Sequence, residues 1–394
     1  MTGSGAEAAA QRNHVAPPVR PKGFSMKLLH HSWIRTLGGF VLGAAVLFGL
    51  APAVLSDFRL GLLAKFLCFA VIGVGIGLAW GRGGMLTLGQ GVFFGLGAYL
   101  MAMHMQLADA AKQHQKVPEF MQIAGIDVLP GYWQPFASAP VTLIAILVLP
   151  GLLAAVLGYG VFKRRVKGAY FAILSQALTA AMAILLTGQQ SIGGFTGLSD
   201  FHAFFGYRLS DPVNRRMLFF IAAATLLVVL AAARQLMHSR YGELLVAVRD
   251  QEERVRFLGY DPANVKIVAF VVAAMFAGIA GALFTPIVGI ISPADIGVVP
   301  SIVFLIGVAI GGRTTLLGPA LGAIGVAWAQ TTFSEQFPSG WTYLQGALFI
   351  VVVGFVPAGF AGFGPLARQL AQRLRKPGAP AAPVTAAPEE KVPA

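Results

Sequence analysis

Long apolar runs alternate with short polar segments along most of the 394-residue chain. A helix of about 20 apolar residues crosses the hydrocarbon core of a bilayer. The pattern therefore predicts an all-α polytopic membrane protein with about ten transmembrane or re-entrant helices. The predicted spans are about 33–55, 58–80, 88–106, 139–162, 169–187, 216–234, 264–290, 301–311, 316–333 and 341–360.

Two glycine-rich stretches interrupt this apolar pattern. The first is GRGGMLTLGQG at 81–91, and the second is GGRTTLLGPALG at 311–322. The span at 301–311 is short and ends in the second stretch, so we expect a broken or re-entrant helix there. Paired breaks often line the solute path of a transporter, because freed backbone groups can face a cavity. Glycines four residues apart also allow close helix packing, which is the alternative interpretation.

Charge distribution sets the orientation of the chain in the membrane. Only 11% of the residues are charged, and the net charge is +13. With the N-terminus inside and the spans alternating, 22 of the 29 Lys and Arg residues fall in cytoplasmic segments. This bias follows the positive-inside rule, predicts that both termini are cytoplasmic, and removes nucleic acid as a partner.

The predicted domain organisation follows from these segments. We expect a polar cytoplasmic arm at 1–32, a transmembrane domain at 33–364 and a disordered, Pro- and Ala-rich cytoplasmic tail at 365–394. Lys65 falls within a span, where it must snorkel to the surface, be paired or line a path. No Asp or Glu falls within a predicted span. An ion-coupled carrier usually needs such a relay, so this absence counts against that class.

One charged segment lies between two predicted spans, at 241–266, and carries nine charged side chains. Its apolar residues recur at nearly helical spacing, which predicts an amphipathic helix at about 241–260. Gly259 suits a C-terminal cap, and Asp261-Pro262 predicts the start of the next helix. The mixed acidic and basic face favours docking into a protein groove over lying on lipid headgroups. The apolar stripe comprises Leu244, Leu245, Val248, Val255 and Leu258.

This segment resembles the cytoplasmic coupling helix of ABC importer permeases, in the branched-chain amino acid and urea permease family. The matching residues are Ala247, Val248, Arg249, Asp250, Glu252, Arg254, Gly259, Tyr260, Asp261, Pro262 and Lys266. GMLTLGQGVFFGLGAYLMAM at 84–103 is similar to the family's glycine-rich signature, although many members carry His where this chain has Gln90. RVRFLGY at 254–260, VGIISP at 288–293 and GGFTGLSDF at 193–201 resemble urea permeases of the second-subunit type most closely.

The resemblance implies a permease subunit of an ATP-driven urea importer in the bacterial inner membrane. Its implied partners are a second permease subunit, two ATPase subunits, a periplasmic solute-binding protein and membrane lipid. ATP and Mg would bind the ATPase subunits and no cofactor would bind this chain. The residues implied to couple to the ATPase are Glu243, Val248, Arg249, Asp250, Glu252, Glu253, Arg254 and Gly259.

A path for urea needs hydrogen-bonding groups without a fixed counter-charge. The candidates within spans are Thr87, Gln90, Phe93, Phe94, Ser175, Gln176 and Thr179. The alternative for each polar residue is a hydrogen bond to helix backbone. Branched-chain amino acids or short-chain amides are alternative solutes, and a passive urea or amide channel is a further alternative.

Neither catalytic nor metal-binding residues are expected. The sequence GVAIGGRT at 307–314 has P-loop spacing, but it carries Arg313 instead of lysine and lies in an apolar stretch. No set of nucleophile, base and orienting residue is present, and no cluster suggests a metal site. We therefore expect that the chain is not an enzyme.

Overall fold

A computed structural model describes residues 38–166 and 168–336, together with 340, 343–344, 346–347 and 350. The predicted arm at 1–32, the tail at 365–394 and most of the span at 341–360 lie outside the described residues. The described chain is mostly helical. Its helices are α1 Gly38–Val54, α2 Asp57–Arg82, α3 Gln90–Lys112, α4 Glu119–Ile123, α5 Ala139–Phe162, α6 Ala169–Thr187, α7 Pro212–Met237, α8 Arg240–Phe257, α9 Pro262–Val288, α10 Val298–Gly311 and α11 Leu317–Gln336.

Within the described residues, four two-residue strands form two small antiparallel pairs outside the helices. Strand β1 (Leu198–Ser199) pairs with β4 (Ile290–Ile291), with Leu198 opposite Ile291. Strand β2 (Ala203–Phe204) pairs with β3 (Tyr207–Arg208). The first pair ties the loop before α7 to the segment that follows α9.

Among the described residues, six helices are long and apolar enough to cross a membrane, namely α2, α3, α5, α6, α7 and α9. This finding supports the predicted polytopic membrane fold, which is mostly helical. The total of ten spans and the cytoplasmic location of both termini stay predictions. Helix α10 has only 14 residues, or about 21 Å at 1.5 Å per residue, and is therefore too short to cross the bilayer core alone.

Helix α9 lies at the centre of the bundle and contacts α2, α3 and α5. Helices α2, α3 and α9 are mostly buried, while α5, α6 and α7 leave more than half of their apolar stretches outside the core. The outward apolar side chains of α5, such as Ile144, Val148 and Val156, suit contact with lipid hydrocarbon.

Glycines allow the backbones of α3 and α9 to touch. A Cβ built on Gly97 would lie 2.0 Å from the carbonyl oxygen of Gly278, and one on Gly281 would lie 1.9 Å from that of Phe94. No side chain larger than hydrogen fits at these separations, so the small residues set the distance between the two helices.

The chain between α9 and α10 enters the bundle. After Val288 it passes through β4 and a 3₁₀ turn at Pro293–Ile296, where Ser292 and Asp295 form a capping box. The Ile296 side chain then lies against Gly95 of α3. The predicted broken helix at 301–311 is thus an extended segment followed by the short helix α10.

Helix α3 is longer than the predicted span at 88–106 and continues to Lys112. Its last turn includes the buried residue Asp109, which the sequence had placed in a loop. The Asp109 carboxylate accepts a hydrogen bond from the backbone N–H of His202 at 2.8 Å. This backbone donor in a distant loop cannot be read from the local sequence.

Candidate functional site

The first glycine-rich stretch breaks the chain between α2 and α3. The last turn of α2, Gly77–Arg82, is π-helical, and Gly84 has φ of +69°. Single π turns are frequent at functional sites. The two glycine-rich stretches meet here, because a Cβ on Gly81 would lie 1.8 Å from the carbonyl oxygen of Arg313. The guanidinium of Arg313 lies 4.8 Å from the ring centroid of Trp80.

Hydroxyl groups bind the backbone N–H groups that this break releases. Ser175 Oγ accepts from Leu88 N at 3.0 Å, and Thr87 Oγ1 accepts from Gly89 N at 3.3 Å. Ser301 Oγ accepts from Gly91 N at 3.2 Å. Backbone donors in the bilayer core need such internal partners. We call Thr87, Gln90, Ser175 and Ser301 the polar junction.

Gln90 differs from the other members of the polar junction. Its side chain is buried, and neither Nε2 nor Oε1 has a hydrogen-bond partner in the described part of the chain. A buried polar group without a partner costs about 1–3 kcal/mol. Gln90 therefore offers a free donor and a free acceptor in the interior of the bundle.

The other predicted path residues lie on α3 and α6. Phe93 and Phe94 are buried in aromatic contacts, Phe93 with Phe270 and Phe94 with Phe284. Thr179 is buried, and its hydroxyl donates to the carbonyl oxygen of Ser175 at 3.0 Å. Gln176 is half-buried on α6.

Replacing Gln90 with Leu tests its free amide. We expect equal or higher thermal stability of the purified protein, because the substitution removes two unpaired buried polar atoms. We also expect lower solute uptake, because the free donor and acceptor are lost. The matched control is Gln106→Leu on the same helix, which breaks the 2.6 Å hydrogen bond from Gln106 Nε2 to Ser199 O and should lower stability. Unchanged uptake in Gln90→Leu would exclude Gln90 from the path.

Helix α8 has the caps that the sequence predicted. The Ser239 side chain accepts from Gly242 N at its start. At its end Gly259 has φ of +87°, and the bonds from Gly259 N to Arg256 O and from Tyr260 N to Val255 O form a Schellman motif. Asp261 then caps α9, with its side chain accepting from Ala263 N.

Polar contacts bind α8 to the bundle. Arg249 Nη1 donates to the carbonyl oxygen of Gly81 at 2.7 Å, which connects α8 with the glycine-rich break. Lys266 of α9 pairs with Glu252 at 2.7 Å. The Tyr241 hydroxyl donates to Val265 O at 2.6 Å, and burial raises its pKa above the usual value.

The buried face of α8 differs from the predicted stripe at one end. Leu245, Val248 and Val255 are buried, but Leu258 is 75% exposed. Leu258 is the C-cap residue, where the helix ends, and the helix is also kinked at Gln251, which has φ −147° and ψ 68°.

The predicted coupling residues fall on both faces of α8. Val248 is buried within this chain, and Glu252 is mostly buried between Lys266 and Arg256. The others lie at or near the surface: Glu243, Arg249, Asp250, Glu253, Arg254 and Gly259. The hydrogen bond from Arg249 holds the pKa of the exposed Asp250 carboxyl below its usual value.

An apolar patch at the end of α8 was not predicted. Phe257 is 90% exposed, and Tyr260 and Leu258 are also exposed. The predicted apolar stripe included Leu258 but not Phe257. The sequence signal for this patch is that three bulky residues, Phe257, Leu258 and Tyr260, lie next to Gly259 at the end of a charged helix.

A multi-pass membrane protein is the class that these features define, with a broken-helix junction inside and a capped polar helix at one end. The chain belongs to the family described as branched-chain amino acid transport system / permease component, which matches residues 58–353.

Curated relatives support this assignment. The chain is 26% identical over 346 residues to the high-affinity branched-chain amino acid transport system permease protein LivM of Escherichia coli (strain K12). The same protein of Salmonella typhimurium is also 26% identical. Each comparison covers 81% of this chain and 74% of the relative. No solved structure matches.

Proposed function

We propose that this chain is a permease subunit of an ATP-driven importer in the bacterial inner membrane, with urea as its solute. The architecture of α8 is the observation that carries the importer proposal. Its inner face is bound to the bundle, while its outer face carries charged groups and the Phe257, Leu258 and Tyr260 patch. An exposed mixed patch on a capped helix suits a protein partner.

The proposed partners follow from this surface and from the family. An ATPase subunit would hold the outer face of α8, and a second ATPase would hold a second permease subunit. ATP and Mg would bind those ATPases. A solute-binding protein would deliver the solute to the end of the bundle opposite α8, and lipid would surround the apolar helices.

The contacts of α8 suggest how a partner's movement would reach the interior. Arg249 joins α8 to Gly81, and the chain from Gly81 leads directly to Gln90. Displacement of α8 would therefore change the position of the glycine-rich break. That change would open or close the polar junction towards one side of the membrane.

Urea is proposed as the solute on two grounds. The motifs at 193–201, 254–260 and 288–293 resemble urea permeases, and the free amide of Gln90 suits a small neutral solute with donors and acceptors. Branched-chain amino acids are the second candidate, because the curated relatives carry that name. Short-chain amides would also form hydrogen bonds with the free amide of Gln90. A passive channel would leave the exposed face of α8 without a partner.

Solute uptake in cells with and without the gene tests the proposal. Labelled urea and labelled leucine are supplied in parallel, at micromolar concentration so that passive urea leakage stays small. We expect gene-dependent urea uptake that stops when ATP is depleted. Gene-dependent leucine uptake would support the importer proposal, with an amino acid as the solute instead of urea. Gene-dependent uptake that survives ATP depletion would contradict the importer proposal.

A further inference from the structure

The chain segment between α9 and α10 carries a carboxylate into the bundle. Its 3₁₀ turn, Pro293–Ile296, contacts both α3 and α6. The Ile296 side chain lies against Gly95, in the second turn of α3. Since α3 is long enough to span a membrane, a contact at its second turn places this segment inside the bundle. Asp295 therefore lies within the bundle, although in the sequence it falls between two predicted spans.

One oxygen of the Asp295 carboxylate is free. Its Oδ2 accepts from the backbone N–H of Ser292 at 2.9 Å and from the Ser292 hydroxyl at 2.7 Å. Among the residues that the structure describes, no donor binds Oδ1 and no cationic side chain pairs with the carboxylate. Asp295 is only half-buried. An ionisable side chain at this depth of a membrane protein is a candidate for the solute path.

The hydroxyl of Tyr99 is a second free polar group, and it lies near this carboxylate. Tyr99 is only 3% exposed, and its hydroxyl has no hydrogen-bond partner in the described part of the chain. Asp295 is close enough to interact with it electrostatically. A buried hydroxyl without a partner destabilises the fold. Phenylalanine would fill the same space without this cost, so packing alone does not account for a tyrosine here.

The two free groups lie along the same face of α3 as part of the polar junction. Positions 91, 95 and 99 are four residues apart, so they follow one another on one face of the helix. Gly91 N donates to Ser301 Oγ of the polar junction at 3.2 Å. One turn further along, Gly95 lies against the Ile296 side chain. Tyr99 comes next, so an apolar step separates two polar steps along α3.

We propose that Tyr99 and Asp295 form a urea-binding step of the solute path, farther from α8 than the polar junction. Asp295 Oδ1 would accept from an N–H group of urea, and the Tyr99 hydroxyl would donate to the urea carbonyl oxygen. Urea needs no counter-charge, but an ionised carboxylate oxygen is a stronger acceptor than a neutral one. A solute with its own carboxylate would be repelled, because no described cation offsets Asp295.

This inference rests on the proposed function, since it takes urea as the solute. It adds two residues to the predicted path. Tyr99 is one aromatic residue among several in an apolar span, and Asp295 falls outside the predicted spans, so the sequence pattern singled out neither. The two proposals can fail separately, because the wild-type importer tests the solute and the variants test the site.

Import of labelled urea into proteoliposomes that contain the complete importer, with its solute-binding protein, tests the site. Tyr99→Phe removes only the free hydroxyl, so we expect an equal or higher thermal midpoint of the purified protein. The number of urea molecules imported per ATP hydrolysed should fall by about threefold to tenfold, as for the loss of one neutral hydrogen bond. A merely structural role would instead lower the thermal midpoint and leave this ratio unchanged.

Asp295→Asn tests the carboxylate. The amide oxygen can still accept from Ser292 N, while the free acceptor becomes an N–H₂ donor. We expect the urea imported per ATP to fall by about tenfold or more, because hydrogen bonds to a charged oxygen are roughly twice as strong as neutral ones. The matched controls are Tyr159→Phe, at an exposed tyrosine of α5, and Asp127→Asn, in an exposed loop. Both controls should import urea like the wild type.

The outcomes separate the site from the solute. Urea import by the wild type, with the expected losses in Tyr99→Phe and Asp295→Asn, supports the site. Import per ATP that is unchanged in either variant, or that falls only together with the thermal midpoint, would overturn the site and leave the importer proposal standing. Absence of ATP-dependent urea import by the wild type would overturn urea as the solute, and this inference with it.

Discussion

Replacement of Arg249 with Met is expected to reduce ATP-dependent solute uptake by about tenfold or more, while the protein remains in the membrane. The variant loses the charged hydrogen bond to Gly81 O, and such bonds contribute about 1.5–3 kcal/mol. It keeps a long apolar stem beside Gly84, whose added Cβ would lie 2.7 Å from Arg249 Cγ. Uptake by vesicles with the assembled importer, with membrane content measured by immunoblot, gives the result.

Arg249→Lys should not restore uptake. The guanidinium contacts Gly81 through Nη1 and Asp250 through Nε, and a single ammonium cannot reproduce this fork. Arg240→Met is the matched control, because it removes an exposed arginine from the start of the same helix. Normal uptake by Arg249→Met would show that α8 does not act through the glycine-rich break.

Addition of one methyl group at Gly281 is expected to destabilise the bundle by about 1–3 kcal/mol or more. The Cβ of Gly281→Ala would lie 1.9 Å from the carbonyl oxygen of Phe94, which is backbone and cannot rotate away. Helices α3 and α9 would have to separate. Thermal unfolding in detergent, followed by loss of the monodisperse elution peak, should show a lower midpoint.

Gly160→Ala is the control for this change. Gly160 also lies within a span-length helix, but nothing is within 4 Å of its added Cβ. We expect equal or slightly higher stability, because glycine in a helix is about 0.5–1 kcal/mol less favourable than alanine. Equal midpoints for the two variants would show that the α3 and α9 contact tolerates expansion.

The sequence predicted the long helices well because apolar length is a local property. The predicted spans at 139–162 and 169–187 coincide with α5 and α6. The caps at Gly259 and Asp261 were also predictable, since positive φ and N-capping depend on neighbouring residues. The break at 81–91 was visible as glycines within an apolar run.

The orientation of individual side chains was not predictable in the same way. Leu258 continues the apolar pattern of α8 but is exposed at the C-cap, so its environment does not follow from the pattern. Ser175 binds a backbone N–H 87 residues away, so its role depends on how two helices meet. Gln90 is distinguished from Thr87 only by its lack of partners, which no sequence pattern reports.

The polar junction also has a consequence for the order in which the chain is built. Leu88 N obtains its acceptor from Ser175, and Gly91 N obtains its acceptor from Ser301, 210 residues later. At a synthesis rate of about 5–20 residues per second, the second partner follows about 10–40 s after the first turn of α3. During this interval the start of α3 is inserted but incomplete, and it requires water or the insertion machinery to bind its free N–H. Helix α10 therefore completes a site whose other half was made much earlier, and the early half of the bundle cannot reach its final form alone.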